Sequence, residues 1–85
     1  MKDLVSLLQA LESGKFAYSL QEDEADFIVC PFIQREAQLS LCDSDGCLDY
    51  DAIRELRRAG YRVEYGNEGV HCICTKVGYI TFEGM

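Results

Sequence analysis

The sequence predicts a single α+β domain over residues 1–85, with two helices on one face of an antiparallel sheet of five or six strands. Three observations carry this. Leu4, Leu7, Leu8 and Leu11 recur at helical spacing. Residues 15–20 and 61–65 alternate apolar and polar side chains, as half-buried strands do. Asp49 is placed to open a second helix that Gly60 closes.

Taken in order, the leucine stripe, widened by Val5, gives a helix over 3–13, and Gly14 supplies its left-handed stop. A strand follows at 15–20, with Phe16, Tyr18 and Leu20 on one face. The acidic segment 21–24 reads as a turn, and 26–30 as a buried strand that Pro31 ends, since proline cannot donate to a ladder. Ala37, Leu39 and Leu41 alternate with polar neighbours and suggest a third strand, followed by a turn at 43–46. In the second helix Leu48 can staple onto Ile53, Asp51 suits the first turn, and Arg57 and Arg58 suit the last. A strand at 61–65, a hairpin turn at 66–69, a central strand at 70–75 and a last strand at 79–82 complete the chain.

The expected order is therefore α-β-β-(β)-α-β-β-(β). A shift of 45 residues sets Leu8 on Ile53, Leu11 on Leu56 and Phe27-Ile28-Val29 on Cys72-Ile73-Cys74, an αββ pseudo-repeat in architecture. The expected core joins Leu4, Leu7, Leu8, Leu11, Ile53 and Leu56 to Phe16, Tyr18, Phe27, Val29, Val63, Ile73 and Ile80.

Composition narrows the class. Nothing approaches the roughly 20 apolar residues of a membrane helix, and Met1-Lys2-Asp3-Leu4 is not a signal peptide, so a cytoplasmic protein is expected. Five cysteines, an odd number without an export signal, point to free thiols in a reducing compartment. The net charge of −7 is uneven: residues 1–51 hold three bases against eleven acids, and the remainder is nearly balanced. Such a chain repels nucleic acid and anionic membranes, which argues against direct binding to either.

No motif carries a catalytic constellation. His71 and Cys72, as neighbours in a strand, point to opposite faces and cannot pair. The acidic surroundings oppose a thiolate, so no enzyme is expected. Cys72 and Cys74 share a face; they either line the core or join Cys42 and Cys47 in a four-sulfur zinc site. Neither pair has the tight Cys-x₂-Cys spacing, so core packing is favoured and no metal or other cofactor is expected. The segment 43–48 fails as a calcium loop, because Leu41 and Ala52 occupy its acidic first and twelfth positions.

Two charged sets remain as partner-binding candidates. Arg54, Arg57 and Arg58 form a helical stripe, extended by Arg62. Glu22, Asp23, Glu24 and Asp26, with Asp43, Asp45, Asp49 and Asp51, would form one dense negative patch if both loops lie at the same end of the sheet. A solvated surface is the simpler reading of either set. Asp49 is reserved for helix capping.

In size and charge alone, the chain resembles the small acidic inhibitors that phages and mobile elements direct at host enzymes. These include uracil-DNA glycosylase inhibitors, anti-restriction proteins and some anti-CRISPRs. The resemblance implies a protein-binding module that masks a basic, nucleic-acid-binding surface by mimicking phosphates. The alternatives are a small cysteine-based metal-binding domain and a homodimeric structural subunit pairing through a strand edge.

Overall fold

The computed structural model describes residues 2–21 and 26–85. It is α+β, with three helices packed on a five-stranded mixed sheet. In chain order these are α1 (Lys2–Glu12), β1 (Ser19–Gln21), β2 (Phe27–Val29), α2 (Pro31–Leu41), α3 (Tyr50–Arg58), β3 (Arg62–Tyr65), β4 (Val70–Cys74) and β5 (Tyr79–Glu83).

The sheet runs β1-β2-β5-β4-β3. Three of its pairs are antiparallel, but β2 and β5 are parallel, with Phe27 opposite Tyr79. A purely antiparallel sheet is thereby corrected. The chain leaves β2 through two helices and a hairpin before β5 returns beside it, and such a crossover sets strands parallel.

The third expected strand is a helix. Pro31 does end the preceding strand, but it does so as a first-turn residue of α2, where its missing N–H is no loss. Ile33, Ala37 and Leu41, each four apart, are fully buried, while Leu39 is 65% exposed. A strand would have put Leu39 beside Ala37 and Leu41.

The first strand is also shorter than expected. Only Ser19–Gln21 pairs, and Phe16 and Tyr18 pack against the core from an irregular segment. Their counterparts at a 45-residue shift begin at Tyr61 and run into a regular strand, so the correspondence does not extend in detail to β1.

The remaining elements agree with the pattern. In α1 Leu4, Leu8 and Leu11 are buried. In α3 Ile53 and Leu56 are buried, and the Asp49 carboxylate accepts from the N–H groups of Asp51 and Ala52. Gly60, at φ +101°, takes the left-handed stop after α3. The hairpin β3–β4 closes through a 3₁₀ turn over Asn67–Gly69.

One face of the sheet carries Ile28, Val63, His71, Ile73, Ile80 and Phe82, all buried under the helices. Phe27 and Val29, expected in the core, lie on the other face and are half-buried; Ile28 takes the inward position. Cys72 and Cys74 are likewise half-buried on that face rather than in the core. Their strand is interior, as expected, but only one of its two faces is covered.

Tyr61 fastens the first helix to this framework. Its hydroxyl donates to Glu12 at 2.6 Å, and the other Glu12 oxygen accepts the Lys76 N–H at 2.8 Å. Burial, and then the Glu12 carboxylate, push the Tyr61 phenol well above its usual range. A raised value favours the neutral phenol in the fold. That contribution is full below the unfolded value of about 10 and is lost as pH rises through the folded one.

Denaturant unfolding tests both points. Leu41→Ala should lower stability by about 2–5 kcal/mol, as a fully buried leucine does, while Leu39→Ala should stay within about 0.5 kcal/mol; equal losses would contradict α2. Tyr61→Phe should lower neutral stability by about 1 kcal/mol and flatten the alkaline loss above about pH 10. An unchanged alkaline slope would remove Tyr61 as its source.

Candidate functional site: an acidic and aromatic end of the sheet

The final residues of the chain assemble the most distinctive surface. Gly84 N–H donates to the Gly69 carbonyl at 2.8 Å, Met85 N–H to Gly46 at 2.9 Å, and Leu48 N–H to Met85 at 2.8 Å. The Cys42 thiol donates to the Glu83 carbonyl at 3.2 Å. Three segments, 42–50, 65–71 and 83–85, are thus tied together at one end of β5. Gly84 is at the crossing: a Cβ there would lie 2.7 Å from the Cys42 sulfur and 2.8 Å from Leu48 Cδ2.

The acidic turn has a defined shape. Asp43 Oδ1 accepts from the N–H groups of Asp45 and Cys47, both at 2.9 Å, and the Asp43 carbonyl accepts from Gly46. Asp49 follows as the cap of α3, and Asp51 stands in its first turn. All four aspartates are exposed.

Between them and the 3₁₀ turn two tyrosines face solvent, Tyr50 at 61% and Tyr65 at 47% exposure. Their ring centres are 6.3 Å apart at 55°. Tyr65 meets His71 edge-on at 5.4 Å, and His71 in turn contacts Phe82 at 5.5 Å. His71 is buried with both nitrogens engaged: Nδ1 accepts Gly66 N–H at 3.2 Å, so Nε2 carries the hydrogen toward the Gly84 carbonyl at 3.0 Å. Tyr50, Tyr65, Leu48, Glu68, His71 and Met85 line an open hollow of about 420 Å³, with Gly69 and Gly84.

A larger hollow, about 570 Å³, lies beside Gln9, Glu12, Tyr61, Arg62 and Lys76. Both oxygens of its carboxylate, Glu12, are engaged within the fold. It offers less to a ligand than its size suggests.

The charged candidates divide. Glu22, Asp23 and Glu24 lie outside the described residues. Asp26 is at the opposite end of β5 from the 43–51 loop, since its carbonyl accepts the Tyr79 N–H at 2.9 Å. The two ends of β5 are roughly 13 Å apart at about 3.3 Å per residue. Asp26 is therefore not part of one patch with Asp43, Asp45 and Asp51.

The arginine stripe is also uneven. Arg54 pairs with Asp51 at 3.6 Å, an exposed contact of little strength. Arg57 turns back to the Val63 carbonyl at 3.2 Å and lies 5.7 Å from the Tyr65 ring centre. Arg58 is exposed. Arg62, which would extend the stripe, belongs to β3 and pairs with Glu64 at 2.9 Å.

The thiols are dispersed as well. Cys47 is exposed in the acidic turn, and Cys72 and Cys74 are on the uncovered face of β4. Among the described residues no three His, Cys, Asp or Glu side chains come together as a metal site. Burial pushes the Cys72 thiol up, helped by Cys74 and Glu64; burial also raises Cys42, with Asp43 adding to it. No helix among the described residues is long and apolar enough to cross a membrane.

Sequence reasoning missed Tyr50, Tyr65, Glu68, His71 and Met85 as a group. Tyr65 continues the alternation of Tyr61 and Val63, which sets it on their face of the strand, but it stands at the strand end and is exposed. Tyr50, directly after a cap, is the one residue whose exposure could have been read from position. No protein-family model, curated protein or solved structure matches the chain.

Alkylation followed by mass spectrometry should modify Cys47 first and Cys42 and Cys72 slowly. Chelator should leave the thermal midpoint unchanged, as a structural metal would not allow. Cys72 reacting as fast as Cys47, or a clear fall in the midpoint, would contradict the assignment.

Proposed function

We propose that the chain is a protein-binding module, not an enzyme, that occupies a basic surface of its partner with the acidic and aromatic end of its sheet. The observation that carries this is the convergence of Asp43, Asp45, Asp49 and Asp51 with exposed Tyr50 and Tyr65 at one end. Tyrosine supplies large contact area at low entropic cost, and central aromatic anchors within a polar rim are the usual make-up of binding hot spots. Surrounding carboxylates steer a basic partner and speed its approach.

A nucleic-acid-handling protein is the partner class this charge fits best, its cationic surface meeting aspartates where it would otherwise meet phosphates. An inhibitor of the phage or mobile-element kind, acting in the cytoplasm, is the corresponding biological role. The five free thiols favour a reducing compartment. Asp26 and the Arg54 and Arg58 positions take a peripheral part at most, because they stand apart from the hollow.

The test is capture of a partner from the source cell, followed by binding kinetics at two ionic strengths. Asp43→Asn with Asp45→Asn should slow association and flatten its salt dependence. Asp49→Ala is a poor probe because it also removes the α3 cap, at about 1 kcal/mol. Unchanged affinity and salt slope in the double variant would contradict the proposal.

A further inference from the structure

We propose that the hollow lined by Tyr50, Tyr65 and Glu68 receives a single cationic side chain, a lysine ammonium or an arginine guanidinium, from the partner. The inference rests on the protein-binding reading above and names the chemistry of its central contact.

The lining admits little else. Among the described residues around the hollow, Glu68 is the one carboxylate, and there is no lysine or arginine. Three of the polar groups that could hold an anion are already engaged. His71 is committed through both ring nitrogens, Leu48 N–H donates to Met85, and Gly84 N–H donates to Gly69. The two tyrosines with their hydroxyls, apolar side chains and one carboxylate remain. A cation on an aliphatic stem matches all three: the head group suits the negative faces of the tyrosines and Glu68, and the methylenes suit Leu48 and Met85.

The geometry suits a cation in two respects. The tyrosine rings, 6.3 Å apart and inclined at 55°, form a tilted aromatic pair, so a cation would be met on ring surface beside the pair rather than between the rings. Tyr65 already has the Arg57 guanidinium at 5.7 Å, so its π system holds one cation within the chain. Arg57 is outside the lining, and its charge opposes a second cation only in part. Asp43, Asp45, Asp49, Asp51 and Glu68 outnumber Arg54 and Arg57 at this end, and Arg54 is paired with Asp51.

Glu68 also stands in an unusual conformation. At φ 59° it is the one described non-glycine residue with positive φ. That backbone state is unfavourable for a side chain with a Cβ, and such states gather at ligand-contacting sites.

The experiment needs no identified partner. Isotope-labelled chain is titrated with N-acetyl-arginine amide and N-acetyl-lysine amide, and, as controls, with N-acetyl-norleucine amide and N-acetyl-glutamate amide. Saturable shifts are expected at Tyr50, Tyr65, Glu68 and Gly69 with the two cations, at several-fold lower concentration than with norleucine. Glu68→Gln should weaken the cations by roughly two- to fivefold and leave norleucine unchanged. Tyr50→Leu, at an exposed helix position, should weaken them too while preserving the rest of the amide spectrum.

Equal response to norleucine and the cations would overturn the inference in favour of a plain apolar groove. Absence of saturable shifts, or insensitivity to Glu68→Gln, would also overturn it. Either result leaves the protein-binding reading standing if a captured partner still responds to Asp43→Asn with Asp45→Asn.

Discussion

The insertion of β5 between β2 and β4 is the constraint on which the rest of this structure depends. The last strand in sequence is the middle strand in space, and it alone joins the β1–β2 pair to the β3–β4 hairpin. Its link to β2 is a parallel contact at Phe27 and Tyr79, and its link to β4 runs the whole strand, from Val70 opposite Glu83 to Cys74 opposite Tyr79. Ile80 and Phe82 project from it into the core formed by α1, α2 and α3. Such non-local pairing closes long loops before it gives any contact, so the domain's halves are held together by a strand distant in sequence from β1 and β2.

The same strand organises the surface. Its continuation through Glu83, Gly84 and Met85 accepts and donates the hydrogen bonds that hold the 42–48 turn. That turn sets Asp43 and Asp45, and the following residues set the α3 cap and Tyr50. His71, bridging Gly66 and the Gly84 carbonyl, joins the 3₁₀ turn to the same end. Core packing and the candidate binding surface are therefore coupled through a few backbone groups. Because helices cover one face only, the opposite face leaves Phe27, Cys72, Cys74 and Tyr79 half-buried.

Much of this was legible in the residues. The stripe of α1, the Asp49 cap with its flanking charges, the hairpin at 66–69 and the closing strand all rest on local signals that tertiary structure did not override. The α2 segment was not, because Ala37, Leu39 and Leu41 satisfy a period of two and Pro31 is compatible with a strand end and a helix start alike. Ile33 was the distinguishing residue, since with Ala37 and Leu41 it completes a helical stripe. The inward face of β4 was equally ambiguous: His71 and Ile73 alternate with two cysteines, small apolar residues that suit a core as well. The candidate site was only half legible. Its aspartates announced themselves by charge, whereas Tyr50, Tyr65, Glu68 and Met85 come together through the course of β5, which no local pattern encodes.

The most direct test of this dependence is native-state hydrogen exchange resolved by residue. The amides of Ile80, Phe82 and Ile73 should be the slowest, opening only with global unfolding, and those of Leu48, Gly84 and Met85 should open at the same denaturant-dependent free energy as β5. A β3–β4 hairpin and α3 that stay protected while β5 and the Leu48 and Met85 amides exchange orders of magnitude faster would contradict it. In that case the acidic and aromatic end would be built without the central strand.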